Sequence, residues 1–201
     1  MYKKYILIIL LISSVAFSQL HQLRKHQANE AKNIKYISAN IHLKNSYVDI
    51  ITNSTHRFIK SNGIPNHKVG KFPNKGNPHF ITPQKYSFKL NLNPKDLREP
   101  YMIHENKSIP GLPFGIALNG VMFVPSTAEY WNGNQKLGWN YCALGKGIHL
   151  GLDENYAHVQ PNGSYHYHGV SNYFLKNLII NKNNHSPIIG WAADGYPIYY
   201  V

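Results

Sequence analysis

The stretch Ala157-His158-Val159-Gln160-Pro161-Asn162-Gly163-Ser164-Tyr165-His166-Tyr167-His168 holds two short strands' worth of residues around a turn, and its register sets which side chains share a face. Side chains alternate along a strand, so His166 and His168 project one way and Tyr165 and Tyr167 the other. A two-residue Asn162-Gly163 loop would set His158 opposite Tyr167. A three-residue Pro161-Asn162-Gly163 loop sets His158 opposite His166 and Gln160 opposite Ser164. Turn chemistry favours the longer loop. Proline suits the first central position of a type I turn, and glycine supplies the left-handed residue that completes it. The shorter loop would place Pro161 in the ladder, where it has no donor to offer. With the longer loop, Ala157, Val159, Tyr165 and Tyr167 form a face apolar enough for a core. His158, His166 and His168 gather on the other, with Tyr156 and Gln160.

Strand and turn signals continue on both sides of this hairpin. Ile41-His42-Leu43 and Tyr47-Val48-Asp49-Ile50-Ile51 have strand composition. Gln84 to Leu92 alternates, with Tyr86, Phe88, Leu90 and Leu92 on one face, until Asn93-Pro94 stops it. Asn119-Gly120 and Asp194-Gly195 each sit between apolar runs and predict hairpins, which makes Asp194 a turn residue. Residues 63–79 are rich in Gly, Pro, Asn and Lys and predict a long loop. Ser171 to Ile180 fits a short helix or a strand. No long amphipathic helix is legible. The expectation is a mainly β, single compact domain over residues 45–201, of short antiparallel strands and hairpins with long irregular loops, sandwich or barrel-like.

The chain opens Met1-Tyr2-Lys3-Lys4, runs apolar from Tyr5 to Val15 and reaches Ala16-Phe17-Ser18 before Gln19. A basic start, a short apolar run and a small-x-small site predict a signal peptide over residues 1–18 and an exported protein, periplasmic or secreted. No membrane span is expected after cleavage. Residues 19–44 read as a polar tail. The run Tyr196-Pro197-Ile198-Tyr199-Tyr200-Val201 has no polar tail, so either a strand ends flush with the chain or the sequence is a truncated version of a longer one. Cys142 is the single cysteine, which excludes an internal disulfide framework. Its apolar setting predicts a buried thiol, with a soft metal ligand as the lesser reading. The formal charge of +12 suggests nucleic acid at first sight, but the lysines are dispersed and no nucleic-acid motif is present. An anionic glycan or acidic envelope surface is the expected partner.

Three imidazoles on one face suit copper or zinc. Asp153, His149, His67, His79 and Tyr156 are candidates for a further ligand or for supporting hydrogen bonds. The competing reading is a hydrogen-bonded polar cluster that stiffens the hairpin. No nucleophile elbow, phosphate loop or His-Glu-x-x-His helix is present, so no catalytic residue is assigned.

Tyr165-His166-Tyr167-His168-Gly169, preceded by His158-Val159-Gln160-Pro161-Asn162-Gly163, resembles the signature of the YHYH-domain family. Gly63-Ile64-Pro65-Asn66-His67, Asn77-Pro78, Leu112 to Val121 and Gly190 to Tyr199 are similar to other segments of that family, so the resemblance covers residues 45–201. It implies an exported protein and carries no established activity. Relatives continue past the segment matching Gly195–Tyr199, which bears on the truncated reading. The expectations for function are therefore a metal-binding module; an envelope- or polysaccharide-binding module using Trp131, Trp139 and Trp191; or a metal-dependent hydrolase or redox enzyme.

Overall fold

In the computed structural model, residues 35–96, 113–178 and 185–200 are described. The expected signal peptide and most of the expected tail lie outside them. Tyr36–Val201 form one unit. Residues 36–44, expected within the polar tail, already take part in it: Ile37 bridges Asp153, and Ile41 pairs with Val69.

The central layer is a six-stranded sheet. In chain order its strands are β6 (Gly115–Ala117), β7 (Met122–Phe123), β10 (Ala157–Val159), β11 (Tyr165–Tyr167), β12 (Ile188–Ala192) and β13 (Pro197–Tyr199). They lie side by side as β10-β11-β7-β6-β12-β13. A second sheet has β2 (Val48–Thr52), β3 (His56–Ser61) and β5 (Tyr86–Asn91), with β3 in the middle. Two small pairs complete the set: β1 (Ile41–His42) with β4 (Lys68–Val69), and β8 (Thr127–Tyr130) with β9 (Asn140–Cys142). One short α-helix, α1 (Asn172–Lys176), is present among the described residues. Ser171 caps it by accepting from Phe174 N–H at 3.0 Å. Among the described residues no sheet closes into a barrel, and no helix is long and apolar enough to cross a membrane.

Both expected Asx-Gly hairpins form: β6 pairs with β7 around Asn119-Gly120, and β12 with β13 around Asp194-Gly195. The pairing is not wholly antiparallel, because β11 runs parallel to β7. The chain leaves the sheet after Phe123, builds the β8–β9 pair, re-enters at the edge as β10 and turns back as β11 beside β7 in the same direction, the long crossover that a parallel pair requires. The expected loop over residues 63–79 is interrupted only by the two-residue β4.

Alternation along these strands separates two cores. On one face Ala117, Phe123, Ala157, Val159, Tyr165 and Tyr167 pack with Val69, Phe174 and Leu175. On the other, Ile116, Met122 and Trp191 pack with Ile59 and Leu90 of the three-stranded sheet. Trp191, expected as an exposed contact residue, is only 9% exposed, and the Arg57 guanidinium lies 4.2 Å from its ring centre. His166 lies beside Met122 in the parallel ladder, and Tyr167 beside Phe123. His166 therefore stands on the face of Ile116 and Met122, and the two tyrosines of β11 on the opposite face.

Candidate metal centre

The hairpin adopts the three-residue loop. Ala157 pairs with Tyr167, His158 with His166, and Val159 with Tyr165. Gln160 N–H donates to Ser164 O at 2.9 Å, and Gly163 N–H donates to Gln160 O at 2.8 Å. Gly163 has φ +84°, and a Cβ there would meet Thr82 Oγ1. Glycine is the residue that permits this turn.

This register brings His158, His166 and His168 together. The Nε2 atoms of His166 and His168 are 3.1 Å apart, and those of His168 and His158 are 3.1 Å apart. One ligand atom from each of the three lies within 4.8 Å of the others. His166 is 1% exposed, His168 is buried and His158 is half-buried.

Each ring is held from behind by a backbone carbonyl. His166 Nδ1 meets Ser164 O at 3.2 Å, His168 Nδ1 meets Pro125 O at 2.8 Å, and His158 Nδ1 meets Leu150 O at 3.1 Å. A carbonyl only accepts, so where it is the sole partner Nδ1 carries the hydrogen and Nε2 of the neutral ring presents a lone pair, as at His166 and His168. Asn77 Nδ2 also lies 3.2 Å from His158 Nδ1 and competes with Leu150 for it. His166 and His168 have no such competitor, so their facing lone pairs hold whichever partner His158 takes. Burial and mutual repulsion with neighbouring histidines push His158 down to about 4 and His166 well down; burial also lowers His168. The neutral forms dominate at neutral pH.

A cleft of about 170 Å³ opens onto the triad, lined by Val124, Thr127, Ala128, Glu129, Leu150, His158, Gln160 and His168. The Glu129 carboxylate is close enough to His168 to favour its charged form. Thr127 Oγ1 is buried with no hydrogen-bond partner among the described residues.

The profile of the family described as YHYH protein matches residues 87–201, more than half of the chain. The chain belongs to the YHYH protein family. No curated protein and no solved structure matches it. Within the YHYH protein fold the other expected site residues are spread out. Asp153 lies with the tyrosine face: its buried carboxylate accepts from Tyr165 Oη (2.8 Å), Gly70 N–H (2.8 Å), Asn155 N–H (2.9 Å) and Asn155 Nδ2 (3.1 Å). Burial raises it, against those four bonds. His67 is on that face too, accepting from Tyr167 Oη through Nε2 while Nδ1 donates to Lys68 O at 2.8 Å. Tyr156 has φ +56°, which breaks the strand alternation, and its ring stands edge-on to Tyr36 at 5.1 Å. His149 is exposed, with its ring beside Gly76. His79 is close enough to His158 to oppose its protonation. Cys142 pairs with Thr127 and is not among the converging ligand atoms.

Sequence reasoning missed Glu129, Thr127 and Asn77. The first two sit in a short, weakly patterned strand far from the hairpin in sequence. Asn77 is buried and donates to Val159 O at 2.9 Å, tying the loop to β10. The Asn77-Pro78 pair was its only sequence signal.

Proposed function

We propose that this YHYH protein is an exported module that binds one copper or zinc ion through Nε2 of His158, His166 and His168. The observation that carries this reading is the His166–His168 pair. Two neutral imidazoles, each with its Nδ1–H tied to a carbonyl, point lone pairs at one another across 3.1 Å. Buried lone pairs without a donor between them are costly, and burial opposes the proton that would relieve them. An ion accepts all three. Nitrogens bound at about 2.0–2.1 Å in a tetrahedral half-shell stand about 3.3 Å apart, close to the two 3.1 Å separations here. An all-imidazole donor set suits copper and zinc over magnesium or calcium. The carbonyls on Nδ1 orient the rings as supporting partners do at established metal sites.

The cleft beside His158 and His168 leaves a fourth position to be filled from outside the triad. Such an opening is typical of ions that exchange a ligand or polarise one, whereas purely structural sites are closed by protein. The test is metal analysis of the full chain after incubation with zinc or copper and removal of excess. One equivalent is expected, falling to background in the His158→Ala/His166→Ala/His168→Ala variant. Equal metal content in the two proteins would refute the reading.

A further inference from the structure

The cleft over the triad does not end at its lining. Glu129, on its wall, is exposed and is followed within two residues by Trp131. Two residues of chain reach about 7 Å at most, so the indole is anchored next to the cleft. Trp131 is 48% exposed and Trp139, across the same hairpin, 62% exposed. Trp131 N–H donates to Trp139 O at 2.8 Å, and the Trp131 ring centre is 5.0 Å from that of Tyr141. Left-handed Asn132, Gly133 and Gly138 shape the turn between the two indoles. This hairpin holds large apolar rings in water on a hydrogen-bonded frame, where monomeric proteins usually bury them.

The cleft beside the rings is polar in a particular way. Glu129 offers an acceptor, and Gln160 an acceptor and donors. Among the described residues, no lysine or arginine lines it. A carboxylate without a basic neighbour disfavours phosphates, sulfates and uronates. Hydroxyl groups suit both side chains, and rigid aromatic faces suit the apolar C–H faces of a sugar ring. We propose that β8 and β9, with Trp131 and Trp139, form a docking surface for a neutral polysaccharide, delivering its hydroxyl groups into the cleft above His158 and His168. This goes beyond the ion site, because the surface is made by protein atoms alone. It also narrows the anionic-glycan expectation: among the described residues the dispersed positive charge is not at this cleft.

Calorimetric titration of the full chain with cellohexaose, chitohexaose and maltohexaose tests it, with an oligogalacturonate as the anionic control. At least one neutral hexasaccharide is expected to bind with a dissociation constant below about 1 mM. Trp131→Ala and Trp139→Ala should each weaken that binding about tenfold. Both side chains are exposed, and circular dichroism checks that the variants fold. Glu129→Gln, nearly isosteric, is a second probe and should weaken binding with chelator present. The tryptophan dependence is expected with chelator present as well, which separates this result from the fate of the metal reading. Absence of binding by all three neutral sugars, binding indifferent to the three substitutions, or tighter binding of the oligogalacturonate would each overturn the proposal.

Discussion

At His166 and His168 the backbone, through Ser164 O and Pro125 O, fixes which nitrogen carries hydrogen. That has a consequence for stability. The three triad histidines and His67 are lowered in the fold, His158 to about 4, whereas an unfolded histidine titrates near 6.5. Between those values the unfolded chain binds more protons than the folded one, so the ion-free protein loses stability as pH falls. It is at full stability above about pH 6.5 and weakens steadily towards pH 4. Urea midpoints in chelator at pH 7.5, 6 and 5 should fall in that order, and the triple His→Ala variant should flatten the dependence. A midpoint that rises on acidification would contradict this. The gathering of these three histidines was readable from Pro161, Asn162 and Gly163 alone, because turn chemistry acts over a few residues. Glu129 and Asn77 were not, because tertiary contact brings them there and no local period announces it.

At the scale of the element, the hairpin is a switch of faces. A slip of one residue would send His158 to the tyrosine side, since side chains alternate with period two. Gly163 guards that register through its positive φ and its closeness to Thr82. Gly163→Ala should cost about 1 kcal/mol or more in unfolding free energy and lower metal uptake with it. An unchanged urea midpoint would show that the turn tolerates a side chain. Tyr86–Asn91 was legible because its outer positions are polar and its inner ones apolar. His56–Ser61 was not, although it is the middle strand of its sheet. Arg57 interrupts its pattern, and that arginine covers Trp191.

Across the whole molecule, one central sheet serves two purposes. Its tyrosine face is closed by α1, β4 and the segment around His67, with polar atoms paired down to Asp153 and Tyr167 Oη. Its other face packs on the three-stranded sheet over Ile116, Met122 and Trp191, and beyond Met122 it carries the histidines. The mainly β class was evident from composition and turns. The parallel β7–β11 pair was not, because the chain between Phe123 and Tyr165 gives no local sign of where it returns. That pair places His166 beside Met122, at the margin where the sheet gives way to the cleft. The most direct measurement is a titration of ¹⁵N-labelled protein with one equivalent of zinc, followed by long-range proton–nitrogen correlation of the imidazole rings. Nε2 of His158, His166 and His168 should shift together and saturate at one equivalent, each Nδ1 keeping its hydrogen. Saturation with these three resonances unmoved, or coordination through Nδ1, would contradict the account.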